Sequence, residues 1–267
     1  MKTNMGLKAI KTIYKFLGLG DLKKDVEQFI KERDVPYYLF QMKNHLLGKN
    51  FAIIGPTGAG KSTFLDVLRN PDIDIDTSSY HGTELESFDA FKAKYKLYLE
   101  ELDVEINLSF RVTGRYDVGG DFVEQHWPKV LKNADFVVYV ASIEEIMGEH
   151  SEEYISAIVK DFEFILEKYQ TLNPNAKIVI AYNKIDVLAD VYNLEQEMMK
   201  IQPKILAITE RIKLCWGQKA RLVCPPVMLS LADKKIRSRT MDDLFINFVN
   251  DHIKAEKSRH KYSKKAS

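Results

Sequence analysis

Two short runs in the chain hold residue types whose spacing could bind a phosphorylated ligand. In Gly55-Pro56-Thr57-Gly58-Ala59-Gly60-Lys61-Ser62 the order is Gly-x-x-x-x-Gly-Lys-Ser. Small residues there let backbone N–H groups curl around phosphate oxygens, while Lys61 and the start of a following helix add positive charge. Thr63, next in line, is a further candidate contact. This loop reads phosphate and not base. Asn183-Lys184-Ile185-Asp186 supplies a base test. The Asp186 carboxylate can accept from the N1 and exocyclic N2 donors of guanine; adenine offers neither and would leave the carboxylate unpaired.

These runs need strands and helices to aim them. Phe51 to Ile54 is a short apolar strand ahead of the first run, and a helix is expected from Lys61 to about Arg69. Phe91, Ala93, Tyr95, Leu97 and Leu99 alternate with Lys92, Lys94 and Lys96. Val104, Ile106, Leu108, Phe110 and Val112 alternate with polar residues, which makes a hairpin turning at Glu100 to Asp103. Buried strands follow at Phe136 to Val140, Ile178 to Tyr182 and Leu222 to Leu229, with helices around Tyr154 to Tyr169 and Leu194 to Ile212. Thr240 with Asp243 reads as a capping box opening the last helix, before Leu244, Phe245, Phe248 and Val249. The order predicts an α/β fold, a mostly parallel sheet with one antiparallel strand and helices on both faces.

Composition bounds the rest. The 267 residues, 45% hydrophobic, suit one α/β domain with extensions. The formal charge of +1 gives no whole-molecule argument for nucleic acid, and none is expected as a partner. Cys215 and Cys224 lack metal-type spacing and are too few for a disulfide scaffold, which fits a reducing, cytoplasmic setting. Lys8, Lys11 and Lys15 interrupt the apolar stretch from Leu7 to Leu19, so no signal peptide is expected.

Between the two runs lies Arg115-Tyr116-Asp117-Val118-Gly119-Gly120-Asp121. Asp117-Val118-Gly119-Gly120 resembles the Asp-x-x-Gly element of the Ras-like small GTPase superfamily, in the wording of its ADP-ribosylation factor branch. Trp127 and the strand from Asn133 to Ser142 are similar to that branch as well. The resemblance spans roughly Lys49 to Ile253. It implies a three-layer P-loop NTPase fold, the Ras-like G domain, with GTP or GDP and Mg²⁺ bound. It implies Mg²⁺ held directly by the Ser62 hydroxyl and through water by Asp117, and the Gly120 N–H on the γ-phosphate. A switch threonine that also binds the metal is implied between the first helix and the hairpin. Thr77 and Thr83 both qualify, and Thr83, after Gly82 and nearer the strand, is preferred. Ser230-Leu231-Ala232 resembles the degenerate element whose backbone meets the guanine oxygen.

The chain departs from that pattern where hydrolysis is controlled. Most Ras-like proteins carry a water-orienting glutamine after the Asp-x-x-Gly glycine, and here Asp121 stands in its place. It is shorter, and its charge is unfavourable beside a γ-phosphate. Thr57 also occupies a phosphate-loop position where Ras has glycine. The expectation is a regulatory GTPase with slow intrinsic turnover, aided by a partner arginine worth ~10³ to 10⁵ in rate. Asp121 has a second reading, as the acidic residue opening the next helix. His126 is either a substitute water-positioner or a surface histidine. Two other classes stand beside the first: a GTP-binding module with negligible hydrolysis, and a P-loop kinase or ATPase, which Asp186 disfavours.

The ends divide the chain into a 1–47 amphipathic helical extension, a 48–254 GTP-binding domain and a 255–267 basic tail. Leu7, Ile10, Ile13, Tyr14 and Leu17 share one helical face and Lys8, Lys11 and Lys15 another; Leu22, Val26, Phe29 and Ile30 form a second stripe. From Lys254 onward six Lys and Arg residues face one acid, Glu256. A peripheral membrane contact through both termini is one reading, and packing of the helices on their own domain is the other. Effector and regulatory proteins are the expected partners, their identity open.

Overall fold

The computed structural model describes residues 46–75, 90–99, 104–112, 123–132, 134–172, 176–189, 194–234 and 236–248. The switch candidates Thr77 and Thr83, the 113–122 run with Asp117, Gly120 and Asp121, the His126 side chain, and both terminal segments lie outside the described residues.

Six strands form one sheet in the order β2-β3-β1-β4-β5-β6. They are β1 (Asn50–Ile54), β2 (Phe91–Leu99), β3 (Val104–Val112), β4 (Phe136–Ser142), β5 (Lys177–Asn183) and β6 (Val227–Met228). Only β2 and β3 run antiparallel, in the hairpin register Phe91 to Val112 through Leu99 to Val104. The other neighbours pair in parallel. Alternating apolar and polar residues made the hairpin, because each of its strands buries one face; continuous apolar runs made β1, β4 and β5, which are buried on both. The helices are α1 (Lys61–Arg69), α2 (Val123–Leu131), α3 (Ile143–Met147), α4 (Ser151–Leu172), α5 (Asp186–Ala189), α6 (Leu194–Trp216) and α7 over residues 236–248.

The pleat of the sheet sorts the core into two layers. Phe51, Ile53, Phe136, Val138, Val140, Val179 and Ala181 point to one side and pack with Phe64 of α1 and Phe245 and Phe248 of α7. Phe51 has ring contacts with Phe110, Phe136, Phe245 and Phe248 at centroid distances of 4.5 to 6.0 Å. On the other side Ala52, Ile54, Val137, Tyr139, Ile178, Ile180 and Tyr182 meet Trp127 of α2, Phe162 of α4 and Trp216 of α6. The result is α/β with helices on both faces, as the alternation of elements implied.

Two expectations are corrected. The strand placed at Leu222 to Leu229 is only Val227–Met228. Leu222 closes a 3₁₀ helix (Gly217–Leu222), and Val223 makes an isolated bridge to Ile178. Pro225 and Pro226 have no N–H to give to a ladder, so pairing stops after the Cys224 N–H bond to the Ile178 carbonyl. The capping box is also misplaced. α7 is already helical at residue 236, where the Ile236 N–H meets the Asp233 carboxylate at 3.4 Å, and Thr240 lies in the helix interior. Its hydroxyl donates to the Arg237 carbonyl and accepts from the Ser230 N–H, so it ties α7 to the turn after β6.

Candidate functional site

Because β1, β4, β5 and β6 are parallel, their carboxyl ends lie on one edge of the sheet. A ligand in an open α/β sheet binds outside that edge. The first candidate run leaves β1 there. Gly55, Gly58 and Gly60 adopt φ of 139°, 76° and 96°, a region L side chains rarely enter. Space is as restrictive as angle at two of them. A Cβ on Gly55 would overlap the Val140 carbonyl oxygen of β4, and one on Gly60 would overlap the Asn183 side-chain amide. The loop is therefore pressed against the sheet, while Thr57 and Gly58 at its tip are exposed.

Gly60 starts α1, with the Phe64 N–H bonded to its carbonyl at 2.9 Å. Lys61 and Ser62 occupy the first turn of α1, and both side chains are buried. The Lys61 ammonium donates to the Pro56 carbonyl at 2.7 Å, so it is folded back over the loop it follows. Thr63 is partly buried on the same turn. A ring of small residues with a buried lysine and a helix N-terminus is suited to a polyphosphate.

The second run meets the first through one side chain. Asn183, at the end of β5, donates its Nδ2 to the Ala59 carbonyl at 3.0 Å. Its Oδ1 is buried without a hydrogen-bond partner, an unmet acceptor between the two runs. Lys184 takes a left-handed φ of 67°, which turns the chain sharply out of the strand, and its ammonium pairs with Glu144 of α3 at 2.7 Å. Ile185 is buried, and its N–H bonds the Leu229 carbonyl at 3.2 Å. Asp186 opens α5, and its Oδ1 accepts from the Ser230 hydroxyl at 2.8 Å.

Ser230 is fully buried and stands in the turn after β6 with buried Leu231 and half-buried Ala232. Three of the runs singled out in the sequence thus converge on one sheet edge, from positions up to 177 residues apart. Glu144, the partner of Lys184, and Thr240, expected only as a helix cap, also belong to this edge. An acid after a strand and a helical threonine have no spacing signal for such a role, and only their contacts identify them.

A polar group lies on the opposite face, against α4. The Tyr139 hydroxyl donates to Asp161 at 2.6 Å, and the Ser142 N–H donates to the Tyr154 hydroxyl at 2.8 Å. Burial pushes the Asp161 carboxyl up to about 6, an effect the Tyr139 hydrogen bond and the Lys61 charge oppose. The Tyr182 hydroxyl is buried with no partner.

Among the described residues there is no group of three or more His, Cys, Asp and Glu able to hold a metal ion by themselves. Ser62 offers a hydroxyl oxygen, a donor that suits a hard cation sharing phosphate oxygens. No helix among the described residues is long and apolar enough to cross a membrane. No protein-family model matches the chain, and no curated protein matches it.

Proposed function

We propose that the chain is a guanine-nucleotide-binding protein of the Ras-like small GTPase superfamily that hydrolyses GTP slowly and changes shape with the nucleotide. The observation that carries this reading is a pair of contacts at the carboxyl edge of the sheet. Asn183 fastens the base-reading run to the phosphate loop, and Ser230 fixes the Asp186 carboxylate. A carboxylate held by one donor keeps its other lone pairs for the N1 and N2 donors of guanine.

The strand order, with its single antiparallel pair, and the glycines that a Cβ would crowd support a nucleoside polyphosphate as ligand. In this reading Gly55, Pro56, Thr57, Gly58, Ala59 and Gly60 surround the phosphates with main-chain N–H groups, Pro56 through its small ring alone. Lys61 exchanges the Pro56 carbonyl for phosphate oxygens, and Thr63 adds a contact at the helix start. Asn183, Lys184 and Asp186 take the base, and the Ser230-Leu231-Ala232 backbone takes the guanine oxygen. Ser62 is the described residue that would hold Mg²⁺, with Asp117 and the switch threonine, Thr83 or Thr77, as partners from the sequence. Bound there, Mg²⁺ neutralises charge on the β- and γ-phosphates.

Asp121, in place of the usual glutamine, favours slow turnover. It also keeps a second reading in play, a GTP-binding module with negligible hydrolysis. Calorimetry with Mg²⁺ and GTP, GDP or ATP tests the proposal: guanine nucleotides should bind at least ~10²-fold tighter than ATP. Equal affinity for guanosine and adenosine triphosphates would falsify it. Turnover of the purified protein then separates slow hydrolysis from none.

A further inference from the structure

Arg237 on α7 is 2% exposed, and among the described residues every hydrogen bond of its guanidinium goes to a main-chain carbonyl. Its Nε donates to Leu231 at 2.7 Å and its Nη2 to Ala232 at 3.3 Å, both in the turn after β6. Its Nη1 donates to Ile73 at 2.6 Å and to Pro71 at 3.3 Å, in the segment leaving α1. The two segments are about 160 residues apart in the chain. Lys234 adds a tie of the same kind, with its ammonium on the Asp72 carbonyl at 2.9 Å and 3.8 Å from the Asp74 carboxylate.

A cation in such a place needs a reason. Burial lowers the Arg237 pKa, with Asp74, Asp233 and Asp72 acting against that shift, and no carboxylate among the described residues forms an ion pair with it. Desolvating a charge for neutral carbonyl partners is a poor way to gain stability compared with an apolar side chain of like volume. What the guanidinium supplies is geometry. Its planar fork presents five N–H donors in fixed directions, enough to hold two separate segments in one arrangement, which a lysine ammonium cannot reproduce.

One of those segments is the turn that carries Ser230, the partner of Asp186. The other is the way out of the phosphate-loop helix, whose Ile73 and Ile75 pack on the core. We propose that Arg237 is a positioning residue that makes the base-reading turn at 230–232 and the segment at 71–75 one mechanical unit, so that occupancy of the base site orders the chain leaving α1. The inference rests on the guanine reading above. It adds a route by which the base end of the ligand, and not only its phosphates, governs the segment that follows the phosphate-loop helix.

Amide hydrogen exchange on the full chain, with and without GDP and Mg²⁺, tests it. In the wild type GDP should slow exchange at residues 57–62 and also at residues 72–75. In Arg237→Lys the first protection should persist, the second should be lost, and GDP should dissociate about tenfold faster. Protection at 57–62 without any at 72–75 in the wild type overturns the coupling, and that result needs no variant to fold. Wild-type protection at 72–75 and wild-type GDP release in R237K overturn it equally. A residue that merely stabilised the fold would lower the melting temperature of R237K and leave the GDP-induced difference at 72–75 intact. A wild type that binds no GDP overturns instead the guanine reading beneath.

Discussion

The Ser230 hydroxyl donates to the Asp186 carboxylate at 2.8 Å, joining the turn after β6 to the first residue of the helix after β5. The bond fixes which way the carboxylate presents its remaining lone pairs. A hydrogen bond to a charged group contributes ~1.5 to 3 kcal/mol.

Removing that donor should therefore weaken guanine recognition without erasing it. Ser230→Ala is expected to lower GDP affinity about tenfold, from ~1.5 kcal/mol. Asp186→Asn should cost ~10² to 10⁴ for GDP, because an amide cannot accept from both N1 and N2, and should improve the relative affinity for xanthine nucleotides. Competition binding with GDP, ADP and xanthosine diphosphate reads both. A D186N protein with undiminished GDP affinity would show that the carboxylate does not meet the base.

The bridge from Asn183 to the Ala59 carbonyl should matter to the empty protein as well as to binding. Asn183→Ala leaves a buried carbonyl without its donor, at a cost of ~1 to 3 kcal/mol in folding stability. Urea denaturation of the nucleotide-free protein measures it. Gly60→Ala should be at least as damaging, since its φ of 96° and the adjacent Asn183 amide both oppose a Cβ. Stability within ~0.5 kcal/mol of wild type in both variants would show that the two runs are not joined as described.

Lys61 separates affinity from stability in the other direction. Its ammonium is buried and bonded to the Pro56 carbonyl, which Met at the same place would lose while keeping an apolar stem. Lys61→Met should keep the fold, shown by a cooperative melt, and lose ~10²-fold or more in GTP affinity, as a polyphosphate then faces the loop without its cation. Unchanged GTP binding in K61M would remove the lysine from the phosphate site.

Asp161 gives the chain a pH signature. Burial pushes its carboxyl up to about 6, above the ordinary aspartate value of about 3.9, so the folded chain binds the proton more tightly than the unfolded one. This contribution to stability is fully present below about 4 and is lost as pH rises through about 6. Asp161→Asn removes the ionisation while keeping an acceptor for the Tyr139 hydroxyl. It should raise stability at pH 7 by ~1 to 2 kcal/mol, allowing for partial solvent exposure, and flatten the stability profile between pH 4 and 6. Chemical denaturation at several pH values decides this; a D161N profile that parallels wild type would place the proton elsewhere.

Residue types and spacing determined the local parts. Period-two alternation marked the β2–β3 hairpin and continuous apolar runs marked β1, β4 and β5, because burial of one face or both leaves a different pattern in the chain. The loop at Gly55 to Ser62 was legible because its glycines answer to backbone angles, which are a local property. The short β6 and the start of α7 depart from the local pattern, because a proline pair and a threonine have more than one local use. Tertiary structure alone decided that Asn183 would reach Ala59, that Ser230 would meet Asp186, and that Arg237 would join two turns. Those contacts cross between strands, and a contact between distant segments depends on how the sheet is assembled, which no spacing within one run records.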